Sequence, residues 1–180
     1  KCMTEGFYNP SSVYRPAVDA FRSVRECRET LLKAVHGTGC DLIFTSGGTE
    51  ANNLAILGSV GRMRGKQIVA VSAVEHPSVG EAFDHLRADG HDVRVIGVTE
   101  SGELKWDELE KALDDGASLV SCMQVNNETG AVTDIAGIAK MLRARKSKAL
   151  FHTDAVQGFL KEPFSAKTLG ADMISVSGHK

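Results

Sequence analysis

A chain of 180 residues with 42% hydrophobic and 24% charged side chains is long enough for one domain with a real core. Its formal net charge of −2 provides no basic surface that would call for nucleic acid or an anionic membrane. The four cysteines, Cys2, Cys27, Cys40 and Cys122, lack any C-x-x-C spacing. That argues against a zinc site or a disulfide framework, and for buried free thiols in a reducing compartment. No apolar run approaches the roughly 20 residues of a membrane helix. The N-terminus has no signal-peptide plan, so the expected location is cytoplasmic, or organellar in a eukaryote.

Strands and helices alternate along the chain. After a loop at Phe7–Ser12, apolar residues recur at Val18, Phe21, Val24, Leu31, Leu32 and Val35, the period of a helix. A short strand is predicted over Asp41–Thr45, then a glycine-rich turn and a helix from about Thr49 to Val60. Further strands are predicted at Gln67–Ser72, Asp92–Val98, Ser118–Val125, Ala149–Thr153 and Met173–Ser177. Helices fill the gaps at Ser78–Asp89, Trp106–Asp114 and Ile135–Arg145, with a short turn near Ser165–Leu169. Strands separated by helix-sized segments need crossover connections, which predicts an α/β three-layer sandwich around a mostly parallel sheet. In such sheets ligands sit beyond the carboxyl ends of the strands.

Several polar motifs fall at those ends. Ser46-Gly47-Gly48-Thr49 follows a strand and opens a helix, so its amides and the positive helix end suit an anion such as a phosphate. It matches neither G-x-x-x-x-G-K-[ST] nor G-x-G-x-x-G, and Gly47 and Gly48 making a turn with Thr49 as the helix cap remains an alternative. His76, in Glu75-His76-Pro77, can stack on an aromatic ligand and exchange protons, or is simply a solvated loop side chain. Asn126 and Asn127 can donate to a phenolate or carboxylate, or serve as turn residues before Gly130. Asp154 closes one strand, with Gln157 one helical turn on if a helix starts there; the alternative is an N-cap with its partner. Lys180 follows the strand run through Ser177-Gly178-His179, where a desolvated amine readily forms an imine with an aldehyde. An acid and a lysine at neighbouring strand ends are what a pyridoxal phosphate site needs.

The runs Phe44-Thr45-Ser46-Gly47-Gly48-Thr49-Glu50-Ala51-Asn52-Asn53, Glu75-His76-Pro77, Val125-Asn126-Asn127-Glu128-Thr129-Gly130, His152-Thr153-Asp154-Ala155-Val156-Gln157 and Ser177-Gly178-His179-Lys180 resemble the cysteine desulfurase family. These are class V aminotransferase-type, fold-type I pyridoxal phosphate enzymes. The resemblance runs from about Asn9 to Lys180, and looks closest to the branch that feeds general iron-sulfur cluster assembly. It implies an N-terminal arm and helix over 1–37 and a large pyridoxal-phosphate-binding domain over 38–180, without its last strand and the small domain. It also implies that Gly48, Thr49 and Ser177 hold the phosphate with His179 beside them, and that His76 stacks on the pyridine ring. Asp154 would pair with the ring nitrogen, Gln157 with the ring hydroxyl, and Lys180 would be the covalent attachment. Asn127, and with it Asn126, would contact substrate or ring. The catalytic residues implied are therefore Lys180, His76 and Asp154.

The implied reaction converts L-cysteine to L-alanine, leaves a persulfide on the enzyme, and supplies sulfur for iron-sulfur clusters and tRNA thiolation. Implied partners are a second copy in a homodimer and a sulfur acceptor such as an iron-sulfur scaffold. The family's nucleophilic cysteine and its carboxylate-binding arginine both lie beyond the lysine, and the opening Asn-Ala-Ala-Thr-like run is not found in Lys1–Phe7. The chain is thus expected to be a fragment that does not turn over cysteine alone. Alternatives are another class V enzyme, such as a selenocysteine lyase or a small-molecule aminotransferase, or a non-catalytic remnant.

Overall fold

A computed structural model describes residues 2–180, leaving out the side chains of residues 2 and 3. Lys1, the first residue of the expected N-terminal arm, and the thiol of Cys2 lie outside the described residues. The chain divides into two compact units, one up to Ile43 and one from Phe44 to Lys180.

The first unit holds α1 (Cys2–Glu5), which the sequence reading did not foresee, and α2 (Arg15–Ala34). Pro16 suits the first turn of α2, where a missing N–H costs nothing. Phe21, Val24 and Leu31 recur at helical spacing along α2, and all three are exposed. The strand expected at Asp41–Thr45 does not form. Strand geometry needs a ladder partner, and no described strand pairs with this segment. The Leu42 carbonyl instead accepts from Arg28 Nε at 2.9 Å.

The second unit is a three-layer α/β sandwich. It contains α3 (Gly48–Val60), β1 (Ile68–Ser72), α4 (Pro77–Ala88), β2 (Asp92–Ile96), α5 (Trp106–Asp114), β3 (Leu119–Ser121), α6 (Ile135–Ala144), β4 (Leu150–Asp154), α7 (Ala166–Leu169) and β5 (Met173–Ser175). The five strands lie in the order β2-β1-β3-β4-β5, every pair parallel. The expected parallel sheet covered by helices is thus what the chain adopts. β2, β3 and β5 end before their predicted runs do, because those runs continue into the loops of the carboxyl rim.

Alternation along the strands builds two cores. Val69, Val71 and Leu119 pack with Ile56 and Val60 of α3 and with Val79, Ala82, Phe83 and Leu86 of α4. Ala70, Val120 and Phe151 face the other way, into Leu109, Ile135, Ile138 and Leu142 of α5 and α6. The α4 set follows the i, i+3, i+4, i+7 pattern, so one helix face is committed to the sheet. Burying a side chain such as Phe83 or Phe151 contributes about 1.5–3 kcal/mol, which fixes both helical layers against the strands.

Of the described thiols, only Cys122 is buried; Cys27 and Cys40 are free but exposed. The expectation of buried thiols fails for those two because neither lies on a face that packs into a core. Among the described residues, no His, Cys, Asp or Glu cluster could hold a metal. Nor is any helix long and apolar enough to cross a membrane.

Candidate functional site

The carboxyl ends of β1, β3, β4 and β5 open onto a cavity of about 350 Å3. Gly48, Thr49, His76, Asn127, Asp154, Gln157, Ser177, His179 and Lys180 all line it, together with Asn52, Ser78, Met123 and Val156. Five separate stretches of sequence therefore meet in one place, each delivered by a loop on the same rim. Asp154 and Lys180 border the same space.

Gly47 occupies the N-cap position of α3, and no side chain caps the first turn. Thr49 is accordingly inside the helix, two positions past the cap, and the reading of Thr49 as the cap is corrected. Glu50 instead accepts from Ser46 N at 2.5 Å, and that backbone bond holds its carboxyl below the usual range. Gly48 and Thr49, in the first turn of α3, line the cavity at the positive end of the helix dipole.

His76 is exposed, as a solvated side chain would be, but it is also the N-cap of α4 rather than a free loop residue. Its Nδ1 accepts from Ser78 N at 3.1 Å and lies 2.8 Å from Ser78 Oγ. Pro77 at the first helical position supports the turn.

Asp154 is buried, and both carboxylate oxygens are engaged. Oδ2 accepts from Asn52 Nδ2 at 2.7 Å, and Oδ1 from the Val156 amide at 2.9 Å. The chain after Asp154 runs through turns, so Gln157 reaches the cavity from a turn and the helix-dependent spacing argument does not apply. Ser177 Oγ and His179 Nδ1 are 2.7 Å apart beside Lys180, and no ion pair engages Lys180 among the described residues.

Asn126 does not line the cavity. Its Oδ1 accepts from the amides of Glu128 and Thr129, and its Nδ2 donates to the Val74 carbonyl. The turn reading holds for Asn126, while Asn127 faces the cavity.

Beneath the rim sit two buried titratable groups that the sequence reading left without a role. Glu75 as a whole is half-buried but its carboxyl group is buried; Oε1 accepts from Ser72 Oγ at 2.7 Å and Met123 N at 2.6 Å, while Oε2 has no partner among the described residues. Burial pushes its pKa up to about 7, against the lowering effect of those two bonds. His152, fully buried on β4, lies 2.9 Å from Ser121 Oγ through Nδ1 and 3.0 Å from Ser175 Oγ through Nε2. Burial lowers its pKa to about 4. Burial likewise drives the Cys122 thiol well above its ordinary value, so it stays protonated and unreactive.

Asn52 and Ser78 were also missed. Asn52 stands three residues after Thr49 on α3, a spacing that puts the two on one helix face and was available as a signal.

This assembly of a parallel α/β sheet with an acid, a histidine and a lysine around one cavity belongs to a known group. The chain matches the Aminotransferase class-V family over residues 3–180 and is a member of it. It is 36% identical over 178 residues to the cysteine desulfurase of Nostoc sp., covering 99% of this chain and 44% of that protein. It is 38% identical to a putative cysteine desulfurase, IscS 1, of Bacillus subtilis, over 97% of this chain and 46% of that protein. Among solved structures it superimposes on SspA in complex with cysteine with a TM-score of 0.89 at 31% identity, covering 99% of this chain and 51% of that one. DndA from Streptomyces lividans gives a TM-score of 0.82 at 38% identity, covering 99% and 49%. The chain thus spans a little under half the length of the curated relatives it matches.

Proposed function

We propose that this chain is the cofactor-holding part of a pyridoxal-phosphate-dependent cysteine desulfurase, with the cofactor domain over 38–180 following an arm and helix over 1–37. The observation that carries the reading is that Asp154 and Lys180 border one cavity whose far wall is the uncapped start of α3.

The residues fit the cofactor. A volume of about 350 Å3 lies in the range of small-molecule sites, roughly 300–1,000 Å3. A Cβ on Gly48 would stand 3.3 Å from Val156 Cγ2, so glycine keeps the entrance to the first-turn amides clear. Those amides with Thr49 and Ser177 suit a phosphate, with His179 orienting Ser177. Each Asp154 oxygen accepts from one donor among the described residues, which leaves further lone pairs for a ring N–H. Gln157 can donate to a ring hydroxyl, and Asn127 to the hydroxyl or to substrate.

Pyridoxal phosphate, when bound, supplies an electron sink for the pair left behind when an amino acid loses its α-proton. Lys180 Nζ would carry the covalent attachment and, once released by the incoming amine, take that proton as a base. Asp154 would hold the ring nitrogen's proton in place, and His76 would present its ring to the cofactor's face. The substrate would be L-cysteine, as suggested by the names of the relatives, with sulfur passing to an enzyme thiolate and on to an acceptor such as an iron-sulfur scaffold. Buried, protonated Cys122 does not suit that role. A homodimer in the cytoplasm is part of the same proposal.

The test is direct. Pyridoxal phosphate is added to the purified protein, reduced with borohydride, and the adduct located by mass spectrometry. A single adduct on Lys180 with a rise in melting temperature is expected. No adduct on Lys180 and no thermal shift would refute the reading.

A further inference from the structure

We propose that Asn52 is a positioning residue: through Ser78 it ties the Asp154 carboxylate to the His76 ring in a one-way chain of hydrogen bonds that keeps the histidine's proton on Nε2. The proposal rests on the reading above only for what that Nε2–H would face.

The direction of the chain follows from counting protons. A carboxylate can only accept, so the Asn52 group 2.7 Å from Asp154 Oδ2 must be the amide nitrogen. The second proton of that nitrogen goes to Ser78 Oγ at 2.9 Å. Turning the amide over would set Oδ1 against two oxygens, one of them a carboxylate. As oriented, Asn52 Oδ1 is buried without a partner among the described residues, a cost the fold accepts to keep both donors in use.

Ser78 Oγ, accepting from Asn52, has its own proton free for His76 Nδ1, 2.8 Å away. The Ser78 amide points at the same nitrogen from 3.1 Å. Two donors converging on Nδ1 leave no place for a proton there, so the neutral ring carries it on Nε2. Asn52, Ser78 and Asp154 are themselves buried, so water does not compete for the two Asn52 bonds, while the His76 ring at the end of the chain is exposed. One amide on α3 thereby sets the carboxylate at the end of β4 and the ring at the start of α4 relative to each other.

The alternative is that the cluster only caps α4 and packs α3 against it, with no influence on the ring proton. Nitrogen-15 NMR of histidine-labelled protein separates the two, because long-range couplings report which ring nitrogen is protonated, with no cofactor present. At alkaline pH the unsubstituted protein should show His76 as one tautomer, protonated on Nε2. Ser78→Ala and Asn52→Ala should each shift the tautomer ratio toward Nδ1–H by about five-fold, the effect of one hydrogen bond, and Ser78→Thr should restore it. A proton on Nδ1 in the unsubstituted protein would overturn the proposal even if no variant folds. Folded variants with lowered melting temperatures but an unchanged ratio would also overturn it. Failure to bind pyridoxal phosphate would remove the proposed function and leave these spectra as they are.

Discussion

Asn52 and Asp154 lie 102 positions apart in sequence, yet Asn52 Nδ2 donates to Asp154 Oδ2 at 2.7 Å with both side chains buried. The bond joins α3 to the end of β4, so the acid's position depends on how a helix packs on the sheet.

Asp154→Asn leaves one side-chain oxygen for two donors, Asn52 Nδ2 and the Val156 amide, and turns an NH2 group toward the other donor in a buried place. A loss of about 1–3 kcal/mol is expected from one unsatisfied buried donor. Thermal melts should show it without any cofactor, and affinity for pyridoxal phosphate, measured by titration, should fall as well. Unchanged stability would mean that the Asn52 bond contributes nothing.

Glu75 and His152 should oppose one another in the pH dependence of stability. Glu75 has a folded pKa of about 7 against 4.5 unfolded, so the folded state binds the extra proton between those values, and its contribution is lost as pH rises from 4.5 to 7. His152 has a folded pKa of about 4 against 6.5, so the unfolded state binds the extra proton, and stability is lost as pH falls from 6.5 to 4. The two slopes, each up to about 1.4 kcal/mol per pH unit, cancel between 4.5 and 6.5. Glu75→Gln should unmask an acid-sensitive protein and His152→Gln an alkali-sensitive one, read by urea melts across that range. Parallel curves for all three proteins would contradict the assignment.

Lys180→Ala should leave the fold intact. The side chain is exposed and engages no ion pair among the described residues, so a stability change within about 0.5 kcal/mol is expected. Far-UV circular dichroism and melting should match the parent, while borohydride-trapped cofactor disappears. A large loss of stability would show Lys180 to be structural.

Gly158→Ala should be destabilising by about 1–3 kcal/mol through overpacking. A Cβ there would overlap Gln124 Oε1 and meet Val125 Cγ2 at 3.1 Å, in the turn that carries Gln157. Denaturant melts measure the loss; a neutral result would mean that Gln124 swings aside freely.

The parallel sheet, its helices and the loops bearing the site were legible because they rest on short-range signals: apolar period, strand-to-helix alternation, and small or polar residues just past each strand. Asp41–Thr45 looked like the other strands but makes no ladder, since a strand depends on a neighbour that local pattern does not reveal. Asn126 and Asn127 looked equivalent as neighbours, yet one closes its own turn and the other lines the cavity. Cys27 and Cys122 are chemically alike, and only packing made one exposed and the other buried.

The order of residues by itself determined the architecture and which segments carry polar groups to the rim, because backbone geometry and hydrophobic burial act over a few positions at a time. Tertiary structure alone decided the partners: that Asn52 meets Asp154, that Ser78 stands between Asn52 and His76, and that Glu75 and His152 are stripped of water. Hydrogen-bond direction and desolvation depend on atoms brought together from distant parts of the chain, and those distances are set only when the helices close over the sheet.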